Sequence, residues 1–327
     1  MPDPVAHYLF SRQVVSELPE DIQNVIDLAV FGRALHGPDP WSTIGFYGGK
    51  NKKYAVRSRA MHKTHTGHFL MALAIQAKEN PETPVFSVLA GTICHYCLDR
   101  TAHPYITCKG GEYDGTAKTR SQIGGHVRLE RGIDSYFIRK KFGVAPWHFS
   151  IPSKILTLKQ YPESLREPLD KAFRQAYGWE NVFDQINASL RDERLFYGLM
   201  QDPFGLVQLL LRPISMGETN YCVYSFFHQE IDSHEIDFLN LRHSPWHHPF
   251  KPEMESNDSF LDIYDKARMD AIQLIRGVYD WIYRGKTVHL EALLGNCSYS
   301  TGFDCDDPCN RNKPVCEPLA FGKVFNL

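Results

Sequence analysis

The sequence predicts an all-α fold, a multi-helix bundle, for this chain of 327 residues. Apolar residues recur at helical spacing in seven segments, and the alternation of apolar and polar residues that marks a half-buried strand is nowhere sustained. Stretches rich in proline and glycine separate these segments. We therefore predict one helical domain at residues 1–290 and a cysteine-containing tail at residues 291–327.

The helical segments are bounded by ordinary start and stop signals. Pro84 begins the third helix, and His103-Pro104 ends it, because the residue before a proline avoids the helical region. Pro203 breaks the sixth helix, and a loop-rich region extends to about residue 258. In chain order the predicted helices cover residues 19–35, 56–77, 83–102, 121–142, 163–177, 182–200 and 260–283.

The composition excludes some classes of protein. Hydrophobic residues make up 43% and charged residues 23%, and a net charge of -2 gives no bulk attraction to a polyanion. The first seven residues lack the basic start and the apolar core of a secretory signal, which predicts a cytoplasmic location. The most apolar stretch, residues 204–211, is too short to span a bilayer.

The eight cysteines fall into two sets. With no export signal and a chain this long, four are predicted to be reduced thiols: Cys94, Cys97, Cys108 and Cys222. The other four lie in the tail: Cys297, Cys305, Cys309 and Cys316. Their spacing fits no common zinc module, so a disulfide pair and a weak metal site both remain open.

Two pairs of metal-type ligands stand four residues apart, His95 with Asp99 and His126 with Glu130. This spacing places each pair on one face of a helix, and imidazole nitrogens and carboxylate oxygens suit zinc. Residues 85–93 are strongly apolar, so Asp99 is expected near the core, where a carboxylate needs a metal or an ion pair. A salt bridge from Asp99 to an arginine or histidine, and a solvent-facing pair of His126 and Glu130, are the structural alternatives.

These two pairs belong to a set of four stretches that follow one another in a fixed order along the chain. They are residues 2–10 (PDPVAHYLF), residues 37–40 (GPDP), residues 91–104 with His95, Asp99 and His103, and residues 126–130 with a histidine and a glutamate at the ends. In these stretches the chain resembles the bacterial zinc-dependent phospholipase C family, whose fold is shared with zinc-dependent single-strand nucleases. The resemblance covers about the first 130 residues.

The resemblance implies zinc as the cofactor, with two or three ions in a cleft of the bundle. The first ion would be held by Asp39, a histidine of residues 62–68, His95 and Asp99. The second would share Asp99 and take His7 together with the amino-terminal residue. The third would be held by His103, His126 and Glu130.

Two of these ligand positions leave alternatives. Among the histidines at 62, 65 and 68, the family pattern favours His62, with His65 as the fallback. At the amino terminus, removal of Met1 would expose the amine of Pro2 as a ligand; without that ligand, only two ions are expected to bind tightly.

The resemblance also implies a reaction. Asp99 would bridge two ions that share a zinc-bound hydroxide, and Asp39 would orient or deprotonate the attacking water. The expected enzyme is a phosphodiesterase of the phospholipase C type, a hydrolase acting on a phospholipid or related phosphate ester, with transient contact to a membrane surface. A single-strand nuclease of the same fold, with nucleic acid as the less favoured substrate, and a non-catalytic metal-binding protein are the alternatives. The sequence indicates no oligomeric state.

Overall fold

The computed structural model describes residues 4–112, 116, 119, 122, 124–211, 224–228, 230–232 and 235–321. Within these ranges it contains 14 α-helices and one two-stranded antiparallel sheet, which confirms the all-α prediction. The helices are α1 (Pro4–Glu17), α2 (Glu20–Gln23), α3 (Leu28–Ala34), α4 (Pro40–Thr43), α5 (Val56–Lys63), α6 (Thr66–Glu79), α7 (Val85–Gly110), α8 (Gly125–Phe142), α9 (Ile151–Lys154), α10 (Arg166–Tyr177), α11 (Phe183–Gln201), α12 (Leu206–Leu211), α13 (Phe260–Tyr283) and α14 (Leu290–Leu294). The strands are β1 (Trp246–His248) and β2 (Lys251–Ser256).

Helix α7 is the centre of the bundle. It packs against α1, α3, α6, α8 and α13, and its first fifteen residues, Val85 to Asp99, are all buried. An apolar surface all round is what a helix enclosed by other helices needs. Polar side chains on α7 are therefore placed in the core of the protein, where they require partners.

The prediction that this helix ends at His103-Pro104 is wrong, because α7 continues to Gly110. A proline inside a helix removes one backbone hydrogen bond. Here the neighbouring side chains anchor the helix on both sides of the proline. Nδ1 of His103 lies 2.8 Å from the carbonyl oxygen of Tyr299, and the hydroxyl of Tyr105 donates to the carbonyl of Phe238 at 2.8 Å. Tertiary contacts thus carry the helix past its local stop signal.

Two other predicted helices are each divided in two. The segment 19–35 is split into α2 and α3, because the Asp27 carboxylate accepts the amides of Ala29 and Val30 and starts a new helix. The segment 56–77 is split into α5 and α6 at Thr64 and His65, where His65 has a φ of 54°. Both ends of α13 match the prediction, and the sequence analysis missed α1 and the strand pair.

The C-terminal residues lie against the helices that carry the predicted ligands. The hydroxyl of Tyr96 on α7 donates to the carbonyl of Leu294 at 2.9 Å, and Thr66 on α6 donates to that of Cys297 at 2.8 Å. Further along, the amide of Glu317 donates to the carbonyl of α7 residue Cys108 at 2.8 Å. The division into a domain at 1–290 and a tail at 291–327 stays a prediction.

The described part of the chain bears on the predictions about the cysteines and about membrane-spanning segments. All seven described cysteines are free thiols, and Cys222 lies outside the described residues. Three of the four predicted reduced cysteines, Cys94, Cys97 and Cys108, are buried. Among the helices of the described ranges, none is both long and apolar enough to cross a membrane.

Candidate metal centre

Four side chains from three parts of the chain converge beside α7. Asp39 precedes α4, His62 lies on α5, and His95 and Asp99 lie one turn apart on α7. One ligand atom from each of the four lies within 4.8 Å of the others. Nε2 of His95 is 3.1 Å from Oδ2 of Asp99, and Nε2 of His62 is 3.2 Å from Oδ1 of Asp39. We call these four residues the first ligand group.

Backbone carbonyls fix the imidazole rings of this group. Nδ1 of His62 lies 2.7 Å from the carbonyl oxygen of Ser58, and Nδ1 of His95 lies 3.1 Å from that of Leu35. A ring that donates its Nδ1 proton to a carbonyl keeps the lone pair of Nε2 for a metal, which is the usual arrangement around protein-bound metals. Both Nε2 atoms face the carboxylates.

The inner atoms of the first ligand group have no hydrogen-bond partner among the described residues. They are Nε2 of His62, Nε2 of His95, Oδ1 of Asp39 and both carboxylate oxygens of Asp99, and all are buried. Buried polar atoms without hydrogen bonds are costly, unless a cation satisfies them together. Two imidazole nitrogens and two carboxylates are a donor set that fits zinc.

His7 approaches Asp99 from the other side. Its Nε2 lies 3.2 Å from Oδ1 of Asp99, whereas His95 faces Oδ2. The rings of His7 and His95 stack with their centroids 4.3 Å apart. Asp99 therefore presents one oxygen to each side, which is the arrangement that a bridging carboxylate requires. Met1 and Pro2, with the predicted amino-terminal ligand, lie outside the described residues.

A second ligand group is formed by His103, His126 and Glu130, whose ligand atoms lie within 4.8 Å of one another. Nε2 of His126 is 3.1 Å from Oε1 of Glu130. Two glycines allow the end of α7 to approach the start of α8 closely. A Cβ on Gly110 of α7 would lie 2.7 Å from Cα of His126, and one on Gly125 of α8 would lie 2.3 Å from the Gly110 carbonyl oxygen. The side chain of His126 is 31% exposed, so this group opens to solvent.

Of the three histidines at 62, 65 and 68, the structure brings only His62 to the first ligand group. His65 and His68 are exposed, and their rings contact each other at 5.4 Å. The difference follows from the break between α5 and α6, because His62 belongs to the last turn of α5 and the other two lie beyond it.

The charges around Asp99 favour its ionised form. Burial opposes ionisation, but the imidazoles of His95 and His103 hold the pKa of Asp99 well below its usual value. Burial alone would lower the pKa of His62, whereas Asp39 and Asp99 raise it to about 9. The same residues are therefore also placed to form ion pairs between protonated imidazoles and carboxylates, and zinc would have to displace those protons. The salt bridge from Asp99 to a histidine thus stays an alternative to a zinc site.

A buried ion pair that the sequence analysis missed supports the turn before Asp39. Arg33 on α3 and Glu193 on α11 form this pair, with a distance of 2.7 Å between Nη2 and Oε2. Glu193 also lies 3.5 Å from Nδ1 of His36, whose carbonyl accepts the amide of Asp39. The sequence holds no signal for this contact, because its members are 160 residues apart and follow no motif.

Substituting alanine for Gly37 is expected to weaken zinc binding about 10–100-fold, the range found when residues that orient ligands are altered. Gly37 has a φ of 49°, and a Cβ there would lie 2.5 Å from Cδ2 of His95, so the ring must move. Competition with a chromophoric chelator measures the affinity. Gly48→Ala is the matched control, because Gly48 has a φ of 98° and nothing within 4 Å of the added Cβ. Equal losses in both variants would assign the effect to backbone strain instead.

The comparisons with known proteins gave one match. A family model described as zinc-dependent phospholipase C matches residues 6–190. This range contains both ligand groups and His7. Neither the curated proteins nor the solved structures gave a match.

Proposed function

Because this chain belongs to the zinc-dependent phospholipase C family, we propose that it is a zinc-dependent phosphodiester hydrolase of the phospholipase C type. The observation that supports this most is the convergence of buried nitrogen and oxygen atoms without hydrogen bonds in the first ligand group. The proposed ligands of two or three zinc ions are His7, Asp39, His62, His95, Asp99, His103, His126 and Glu130. Bound zinc would polarise the phosphate ester and lower the pKa of a water molecule.

Asp39 is the proposed general base. Its side chain is 13% exposed, whereas that of Asp99 is fully buried, so Asp39 is the carboxylate of the first ligand group that water and substrate can reach. We propose that Asp39 orients the attacking water and accepts its proton. Asp99 then has a different role, since it holds the two sides of the centre together through its two oxygens.

A phospholipid is the proposed substrate in preference to single-stranded nucleic acid. Binding of a single strand relies on a basic track with aromatic platforms for the bases. Five basic residues lie between positions 50 and 59, shortly after Asp39 in the chain. They are engaged in part elsewhere, because the Arg57 guanidinium stacks on the rings of Trp41, Tyr54 and Trp179. The net charge of -2 adds no general attraction for nucleic acid.

Three substrates separate the candidate functions. We expect the zinc-loaded protein to hydrolyse bis-p-nitrophenyl phosphate and phosphatidylcholine and to leave single-stranded DNA largely intact. Preferred cleavage of the DNA would favour the nuclease of the same fold. Zinc-loaded protein that cleaves none of the three would contradict the enzyme proposal and leave a metal-binding protein.

Replacing His62 with alanine is expected to remove about one zinc ion and to lower hydrolysis of bis-p-nitrophenyl phosphate at least about 100-fold, because the open ligand position weakens the first group. Elemental analysis gives the zinc content. His68→Ala is the matched control, since His68 is exposed on the next helix, and it should keep both zinc and activity. A loss of zinc in His68→Ala, with none in His62→Ala, would reverse the choice of ligand.

A further inference from the structure

Helix α12 is apolar on its outer side as well as its inner side. On the inner side, Val207 and Leu211 pack against a small cluster formed by Met200, Tyr224 and Phe227. A surface helix ordinarily places polar residues on the side that faces water. The outer side of α12 carries leucines in place of these polar residues, and packing in the core does not account for them.

In the sequence, exposed apolar side chains continue from α12 back into the end of α11. Phe204 is 85% exposed and Leu210 is 76% exposed. Single exposed apolar side chains are common, but a group of six on one segment marks an interaction site. We call this group the α12 face. Its members are Leu195, Leu199, Phe204, Leu206, Leu209 and Leu210.

The segment that carries the α12 face is anchored by hydrogen bonds to one carboxylate and is nearly free of charge. Asp202 is the only charged residue in the sequence from 195 to 211, and it is buried. Its carboxylate accepts the amides of Val207 at 3.0 Å and Gln208 at 2.9 Å. The one charge of the segment therefore caps α12 and does not contact solvent.

Basic and aromatic residues flank the face. Trp147 is exposed, and it lines a cavity of about 210 Å³ together with Pro203 and Gly205. Trp147 therefore lies close to the residues that precede α12. Lys140 and Lys141 are exposed at the end of α8, a few residues before Trp147. Apolar side chains with a tryptophan and lysines at the rim are typical of surfaces that enter the headgroup region of a membrane.

One acidic residue near these lysines is already paired. Glu230 lies beside the end of α8, where Arg139 forms an ion pair with it. Lys140 and Lys141 are left to give this rim a positive charge, which complements anionic lipid.

Helix α11 connects the α12 face to the candidate metal centre. The segment that follows Asp39 packs on this helix, where the Asp192 carboxylate accepts the amide of Gly45 at 2.7 Å and the hydroxyl of Tyr47 at 3.0 Å. The rings of Phe46 and Phe196 also meet at 5.4 Å. Leu195 of the α12 face is the neighbour of Phe196 on α11.

We propose that the α12 face docks the protein on the surface of a phospholipid bilayer that contains anionic lipid. The substrate is then met at the membrane, with the metal centre carried on the adjoining elements. This inference rests on the proposed function for the identity of the lipid as substrate, while docking itself is measured without catalysis.

The test compares the full-length zinc-loaded protein with the double variant Phe204→Asp/Leu210→Asp. Flotation with vesicles of phosphatidylcholine and phosphatidylglycerol measures docking, and hydrolysis of bis-p-nitrophenyl phosphate measures the metal centre. We expect the double variant to bind vesicles at least tenfold more weakly and to hydrolyse the soluble ester at the rate of the unchanged protein. Met269→Asp, which places one such acidic side chain at an exposed apolar residue of α13, should alter neither measurement.

The outcomes separate the docking proposal from the proposed function. Vesicle binding that is absent in the unchanged protein, or equal in the double variant, would overturn docking by the α12 face, whatever the rate of ester hydrolysis. Vesicle binding lost only in the double variant, without ester hydrolysis by any form, would support docking and contradict the proposed function. A dimer in sedimentation velocity that the double variant converts to a monomer would show that a second copy covers the face, which also overturns the proposal.

Discussion

Alanine in place of Asp99 is expected to release about two zinc ions and to reduce hydrolysis of bis-p-nitrophenyl phosphate by at least about 10³-fold. Its Oδ2 lies 3.1 Å from Nε2 of His95, and its Oδ1 lies 3.2 Å from Nε2 of His7, so two proposed zinc positions depend on one carboxylate. Elemental analysis of purified protein gives the number of ions, and circular dichroism shows whether the helices remain.

Asp270→Ala is the control for this change. Asp270 pairs at 2.9 Å with Arg100, the residue next to Asp99, but it is half exposed on α13. Its removal should change the free energy of unfolding by about 0–1 kcal/mol and leave the zinc content intact. Asp99→Asn, which keeps the side-chain volume, covers the case in which the alanine variant does not fold. Full zinc content in both Asp99 variants would mean that the salt-bridge interpretation of Asp99 is right.

Asp39→Asn is expected to lower kcat about 10²–10⁴-fold, the usual contribution of a general base. The amide keeps an oxygen that can face His62, so the zinc content should fall by no more than one ion. Ser42→Ala is the control, since the hydroxyl of Ser42 donates to the carbonyl of Asp39 at 2.7 Å and leaves the carboxylate untouched. A wild-type kcat in zinc-loaded Asp39→Asn would rule out a proton-accepting role for Asp39.

The limits of helix α13 could be predicted from the sequence, because its start is set locally. Helix α13 begins at a capping box, in which the Ser259 side chain and the Asp262 side chain each bond to the backbone of the other residue, and its start matches the prediction. Helix α7 shows the opposite case. Its continuation past Pro104 depends on the carbonyls of Phe238 and Tyr299, which lie more than 130 residues away in the sequence. No local pattern contains that information.

The same distinction applies to the candidate site. The pairs His95 with Asp99 and His126 with Glu130 can be found from spacing, because each lies within one helix. Asp39 is separated from this spacing pattern by more than 50 residues and entered the prediction through the family resemblance. The carbonyls that orient the imidazole rings cannot be found in this way, because every residue has one.

The contact between His103 and Tyr299 has a consequence for the biosynthesis of the protein. A ribosome-bound chain that has released its first 290 residues already carries every proposed zinc ligand, yet the carbonyl that orients His103 is 196 residues further along than His103 itself. Chain segments emerge from the amino end, and contacts with distant segments form last. Tyr299 also lies beside the first ligand group, because its amide donates to the carbonyl of His62 at 2.8 Å and its ring lies 5.6 Å from that of His95. We therefore expect neither ligand group to be complete until the C-terminal segment has docked. Tight zinc loading would thus follow the release of the whole chain from the ribosome.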